Sequence, residues 1–191
     1  MVNRASLDKR PDEVATMFDD VAPKYDVVND VLSMGQTRRW RKVVVEAMDV
    51  RAGQRVLDVA CGQGNAAMAA ARYFAEATGV DYAANLLAQG RERAAVEHLP
   101  VTFTEGDAEN LPCADASFDL TVSTVGVMFA PDHQRAADEL VRVTRSGGKI
   151  ALASWTPTGM IGQLFKTVAS WAPPPAGVRP ATLWGTTCQG Q

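Results

Sequence analysis

The stretch VLDVACGQGN, Val56 to Asn65, decides the fold. Its apolar half, broken only by Asp58, reads as a buried strand. The turn Cys61-Gly62-Gln63-Gly64 then opens into an alanine-rich segment with the look of a helix. A strand that passes through glycines into a helix is the first unit of a doubly wound α/β sheet, whose ligands sit outside the carboxyl ends of the strands. The rest of the chain keeps the alternation. Apolar runs predict strands over 55–60, 77–81, 101–105, 118–124 and 149–154, and periodic stretches predict helices over 65–74, 83–95, 134–144 and 161–169. Upstream, Pro11 opens a short helix and a second is expected near 38–48.

The residues at the predicted strand ends carry the chemistry. Gly62 and Gly64 let the backbone approach a ligand, and with Ala67 they satisfy G-x-G-x-x-A, a dinucleotide fingerprint that is weak on its own. Asp81 ends the second strand about 20 residues further on, where an acid accepts hydrogen bonds from ribose hydroxyls. To this point a nicotinamide dinucleotide and a nucleoside ligand read alike. Asp58 separates them. A pyrophosphate beside it meets a like charge, whereas S-adenosylmethionine brings an ammonium and a sulfonium, together with a carboxylate suited to a helix N-terminus. The competing reading is that Asp58 only caps the loop. A third acid, Asp107, follows the third strand. It is placed to accept from an adenine amino group while the backbone N–H of Ala108 meets a ring nitrogen. Three acids at three successive strand ends favour S-adenosylmethionine over NAD.

Composition narrows the remaining classes. The chain of 191 residues is long enough for one domain with a real core, and 47% hydrophobic with 21% charged residues is ordinary for a globular protein. A net charge of −3 argues against a nucleic-acid surface. The basic run Arg38, Arg39, Arg41 and Lys42 reads as a solvated helix face, with a phosphate or membrane contact as the alternative. Cys61, Cys113 and Cys188 are widely spaced and form no C-x-x-C, so neither a disulfide framework nor a metal site is expected. The first residues show no apolar leader, and no apolar run approaches the ~20 residues needed to span a bilayer. Reduced thiols fit a cytoplasmic protein, and a cytoplasmic location is expected, with peripheral contact at the inner face of the membrane as the alternative.

With these residues placed, the chain resembles class I S-adenosylmethionine-dependent methyltransferases, on VLDVACGQG, TGVD, GDAENLP, FDL and RVTRSGGKIAL in order between about 56 and 155. The resemblance implies a Rossmann-like sheet and S-adenosyl-L-methionine as cofactor. It implies that Asp58, Gly62, Gln63 and Gly64 line the methionine side, Asp81 takes the ribose, and Asp107 and Ala108 take the adenine. Thr124 then contacts the cofactor where the substrate pocket begins. The segment MFDDVAPKYDVVNDVLSMGQTRRWRKVV resembles the N-terminal lid of the ubiquinone/menaquinone C-methyltransferases, on Tyr25, Asp26, Asn29, Ser33 and Trp40. That resemblance implies methylation of a ring carbon of demethylmenaquinone, a lipid quinone, with Tyr25 near the cofactor.

Three positions depart from the pattern: Thr37 stands where a histidine is usual, Gly126-Val127-Met128-Phe129 where G-L-R-N is usual, and Ser154 where a glutamate is usual. The expected organisation is a helical lid and substrate segment over 1–50, the cofactor-binding α/β core over 51–156, and a helix with a Pro-rich tail over 157–191. Class I domains close with two further strands that the tail does not supply. A truncated sheet is therefore expected, its fifth strand an open edge suited to dimerisation. A protein that binds S-adenosylmethionine without turning over is the alternative to an enzyme, and a nicotinamide oxidoreductase a weaker one. No general base is assigned. Asp132 and His133 read as a helix start rather than a catalytic group, His98 as part of a surface turn, and Cys61 as turn filler.

Overall fold

The computed structural model describes residues 43–156 and 158–171. The expectations for Pro11, Tyr25, Asp26, Asn29, Ser33, Thr37, Trp40, the basic run at 38–42 and the Pro-rich tail fall outside those residues. The chain divides into one unit ending at Leu152 and a second beginning at Ala153.

In the first unit a helix at 43–48 (α1) precedes β1 (Arg55–Val59), α2 (Asn65–Arg72), β2 (Glu76–Asp81), α3 (Ala84–Val96), β3 (Val101–Glu105), β4 (Phe118–Thr124), α4 (His133–Val143) and β5 (Thr144–Ala153). Among the described residues the sheet has five strands in the order β3-β2-β1-β4-β5. β1 pairs in parallel with both β2 and β4, and β2 with β3. The chain therefore steps outward from β1 to β3 and returns to the other side of β1. The reversal lies between β1 and β4, where such sheets open a crevice. β3 and β5 are the outer strands of this sheet, and α5 (Met160–Trp171) belongs to the second unit.

Strand alternation sends β1 side chains to two cores. Val56 joins Ala77, Leu120 and Val122 beneath Ala66, Ala67, Ala70 and Ala71 of α2. Alanines on that helix face let it lie close to the sheet. Leu57 and Val59 face the other way, with Val80, Phe118 and the α4 residues Leu140 and Val143. α2 stops at Arg72 because Phe74 turns to φ +62° and points its ring into solvent.

Two polar clamps fix the sheet beyond β1. Asp119, at the start of β4, accepts from the Arg55 backbone N–H at 2.6 Å and pairs with Arg145 of β5 at 2.6 Å, joining three neighbouring strands. The 106–117 loop, which carries the chain back across the sheet, contains no helix and is held by α4 instead. Arg142 donates to the carbonyls of Leu111 and Cys113 and to Asp115, while Glu139 accepts from the Leu111 N–H at 2.6 Å. The Arg142 guanidinium, with the Leu111 N–H, holds the Glu139 carboxyl below its ordinary range.

Candidate functional site

The carboxyl ends of β1 and β2 bring two acids together. Asp58 is 2% exposed and Asp81 is 8% exposed. They lie close enough that the Asp81 charge helps raise the Asp58 pKa, although burial is the larger cause. Together these hold the Asp58 carboxyl at about 7, from an ordinary 3.8, against the backbone N–H groups of Ala67 and Ala66, which pull it down. The Ala67 N–H reaches Asp58 Oδ2 at 3.0 Å. Asp58 therefore meets the first turn of α2, as β1 alternation requires. It takes the donors that sequence reasoning had kept for a ligand carboxylate. The loop-capping role and the acidic field are thus properties of one carboxylate.

Asp81 organises the turn from the other side. Its Oδ2 accepts from the Gly62 N–H at 2.8 Å and its Oδ1 from the Ala83 N–H at 2.8 Å. Asp81→Ala leaves both donors without this acceptor, at roughly 1–3 kcal/mol for each one that stays buried. Asp81→Asn keeps one acceptor oxygen, and with it part of that stability, but loses the charge. Thermal unfolding should therefore separate the two variants, while calorimetry with S-adenosylhomocysteine should find both weakened by roughly 1.5–3 kcal/mol. Unchanged affinity in Asp81→Asn would remove the carboxylate from the binding site.

Gly62 and Gly64 lie in the turn with φ +54° and +74°. The space beside Gly64 is already filled: a Cβ there would fall 2.5 Å from the Phe103 ring. Gly64 thus serves packing against β3 rather than the approach of a ligand from that side. Gln63 also points inward. It is 7% exposed, donates from Nε2 to Gln89 Oε1 at 2.6 Å and accepts at Oε1 from Arg93 at 3.1 Å. Both residues shape the turn, and the polar face available at the strand ends comes from the acids and the backbone.

Asp107 and Ala108 follow β3, with the Gly106 N–H bonded to the Asp81 carbonyl at 3.0 Å. Asp107 Oδ1 accepts from the Glu109 N–H at 2.9 Å, and Ala108 packs against the Leu57 core. Tyr82, which sequence reasoning passed over, lies within the electrostatic reach of Asp81 and Asp107. Burial, then Asp81 and then Asp107 push its phenol above the ordinary range. Thr124 closes β4. Its Oγ1 is buried and has no hydrogen-bond partner. The following Val125 adopts φ +56°, uncommon for a β-branched residue, and a Cβ on Gly126 would fall 2.9 Å from the Ala60 carbonyl oxygen. The loop after β4 is thereby pressed against the end of β1.

Asp132 caps α4 by accepting from the Arg135 N–H at 3.0 Å. His133 Nε2 donates to the Met128 carbonyl at 3.1 Å. Cys61 is buried and its thiol is pushed up, chiefly by burial. His98 is exposed in a turn with φ +54°. Among the described residues no group of three His, Cys, Asp or Glu side chains is arranged to hold a metal ion, and no helix is long and apolar enough to cross a membrane.

A cationic ligand fits this arrangement. Two buried acids lie at the ends of adjacent strands, burial and the Asp81 charge disfavour the ionised form of Asp58, and the buried Thr124 hydroxyl at the end of β4 has no hydrogen-bond partner. The sequence profile of the ubiE/COQ5 methyltransferase family matches residues 5–166. The chain is 50% identical over 155 residues to the demethylmenaquinone methyltransferase of Paenarthrobacter aurescens, covering 81% of this chain and 60% of that protein. It is 48% identical over 155 residues to the enzyme of the same name from Renibacterium salmoninarum, covering 81% and 64%. The chain thus spans less than two thirds of the length of these relatives. Among solved structures, the YcgJ protein of Bacillus subtilis is similar, with a TM-score of 0.62 and 27% identity over 76% of this chain and 63% of that one.

Proposed function

Because the chain belongs to the ubiE/COQ5 methyltransferase family, we propose that it methylates a small molecule, with demethylmenaquinone or a related quinone as the acceptor. S-adenosyl-L-methionine is the cofactor of this family and supplies an electrophilic methyl group on a cationic sulfur. The observation that carries the reading is the buried pair Asp58 and Asp81 at the carboxyl ends of β1 and β2, beside the switch point of the sheet, a negative field suited to holding a cation.

The parts of the chain divide accordingly. Asp81 orients the ribose and the turn it organises. Asp107 and Ala108 receive the adenine. Asp58 holds α2 and faces the positive end of the ligand. Thr124 Oγ1 offers a hydroxyl toward the acceptor side, and Tyr25 belongs to the lid. The names of the relatives from Paenarthrobacter and Renibacterium support the quinone as acceptor. Such an acceptor is lipid-soluble, and it would bring the chain to a membrane surface peripherally.

Two assays on the purified chain test the proposal. Titration with S-adenosylhomocysteine, with NAD as control, is expected to show binding of the former alone. Incubation with S-adenosylmethionine and demethylmenaquinone in detergent is expected to add one methyl to the ring, read by mass spectrometry. Binding without turnover would overturn the acceptor and leave a cofactor-binding protein. NAD binding alone would overturn the cofactor.

A further inference from the structure

The turn at 62–64 is gripped from α3. Arg93 directs Nη1 to Gln63 Oε1 at 3.1 Å and Nη2 to Asn65 Oδ1 at 3.1 Å. The planar guanidinium thus spans the two residues that flank Gly64, which sits in the left-handed region at φ +74°. Gly64 caps α2 without a side-chain hydrogen bond, and the Asn65 side-chain oxygen is given to Arg93. Gln89, one helical turn before Arg93, takes the other end of the Gln63 amide at 2.6 Å. Gly90 lets α3 come this close, since a Cβ there would fall 3.1 Å from the Gln63 carbonyl oxygen.

We propose that Arg93 is a positioning residue for the cofactor: it sets affinity by holding Gln63 and Asn65, and through them the backbone of the glycine turn, in the binding conformation. The inference rests on the turn belonging to the cofactor site, as set out above. A turn held in advance spends less of the binding free energy on ordering. A lysine keeps the charge of Arg93 but, as a point charge without the fork, does not span both oxygens.

Arg93→Ala and Arg93→Lys, with Arg91→Ala as control, test this. Arg91 lies on the same helix but donates to the Phe103 carbonyl instead. Three quantities are read: the Kd for S-adenosylhomocysteine by calorimetry, the thermal midpoint, and amide hydrogen exchange of the ligand-free chain. Both Arg93 variants are expected to raise Kd about tenfold, the scale of one to two such bonds. Both should speed exchange at Gly64, whose N–H bonds the Cys61 carbonyl, while leaving exchange in β1 and β4 unchanged. Arg91→Ala should leave Kd where it was. Wild-type affinity in Arg93→Ala, or faster exchange throughout the sheet in step with lost affinity, would overturn the positioning role alone. Full rescue by Arg93→Lys would assign the effect to charge and overturn the fork. A wild-type chain that binds no S-adenosylhomocysteine would overturn the cofactor site first, and this inference with it.

Discussion

Asp58→Asn is expected to raise the unfolding temperature of the ligand-free chain at pH 8 and to weaken its hold on S-adenosylmethionine. The Asp58 carboxyl, held at about 7 in the fold, has an ordinary value of 3.8. An acid whose folded pKa is raised binds its proton more tightly in the native state. The cost of ionising it is absent below pH 4, grows across pH 4–7 and is complete above pH 7. A rise of about 3 units corresponds to roughly 4 kcal/mol. Asparagine keeps an oxygen for the Ala67 N–H and carries no charge, so the gap in stability between variant and wild type should open over that window. The opposite sign is expected for binding. A cationic ligand favours the ionised form, so wild-type affinity should rise through pH 7 with release of a proton, and Asp58→Asn should lose both the rise and the proton. Equal stability of the two proteins from pH 4 to pH 8 would show that Asp58 ionises as freely in the fold as in water.

The second large effect is expected at Phe103. Its ring is 8% exposed and fills a cradle of three glycines from three elements. Added Cβ atoms at Gly64, Gly79 and Gly90 would fall 2.5, 3.1 and 2.8 Å from it. Phe103→Ala removes the ring from between α2, α3 and the sheet and should cost roughly 3–5 kcal/mol, lowering the thermal midpoint by about 10 °C for a chain of this size. A double-mutant cycle gives the sharper test. Gly64→Ala should be severe in the wild type, where the ring blocks the methyl. In the Phe103→Ala background it should be milder, leaving the roughly 1–2 kcal/mol of a left-handed alanine. Additive effects would show that the ring is not what excludes a side chain at Gly64.

These two residues also show what a sequence yields and what it withholds. The strands at 101–105 and 118–124 were legible to the residue, because their apolar alternation is bounded by turn residues on both sides. The acids were legible because each stands at a strand end. The start of β5 was not. The expected strand covered 149–154, yet it begins at Thr144, directly after α4. The Arg145 ion pair to Asp119 and the close approach of Gly148 to the Asp119 carbonyl explain why. Tyr73 and Phe74 looked like the end of a helix face, and the left-handed Phe74 ends α2 at Arg72 instead. The inward turn of Gln63 and the filling of the space beside Gly64 depend on Arg93 and Phe103, some 30 and 39 positions away. Local pattern carries no trace of partners at that distance.

The clamp on the 106–117 loop bears on the order in which the protein is made. The strands β1, β2 and β3 and their helices are complete by residue 105, and each contacts its neighbour in the chain. The loop that follows is held by Glu139 and Arg142, which leave the ribosome about thirty residues later. Closing so long a span costs chain entropy before its contacts repay it. The β1–β2–β3 half of the sheet, with Asp58 and Asp81, is thus expected to mature first during synthesis. The 106–117 loop waits for α4, so the nascent chain is expected to acquire the acid pair before this loop is fixed.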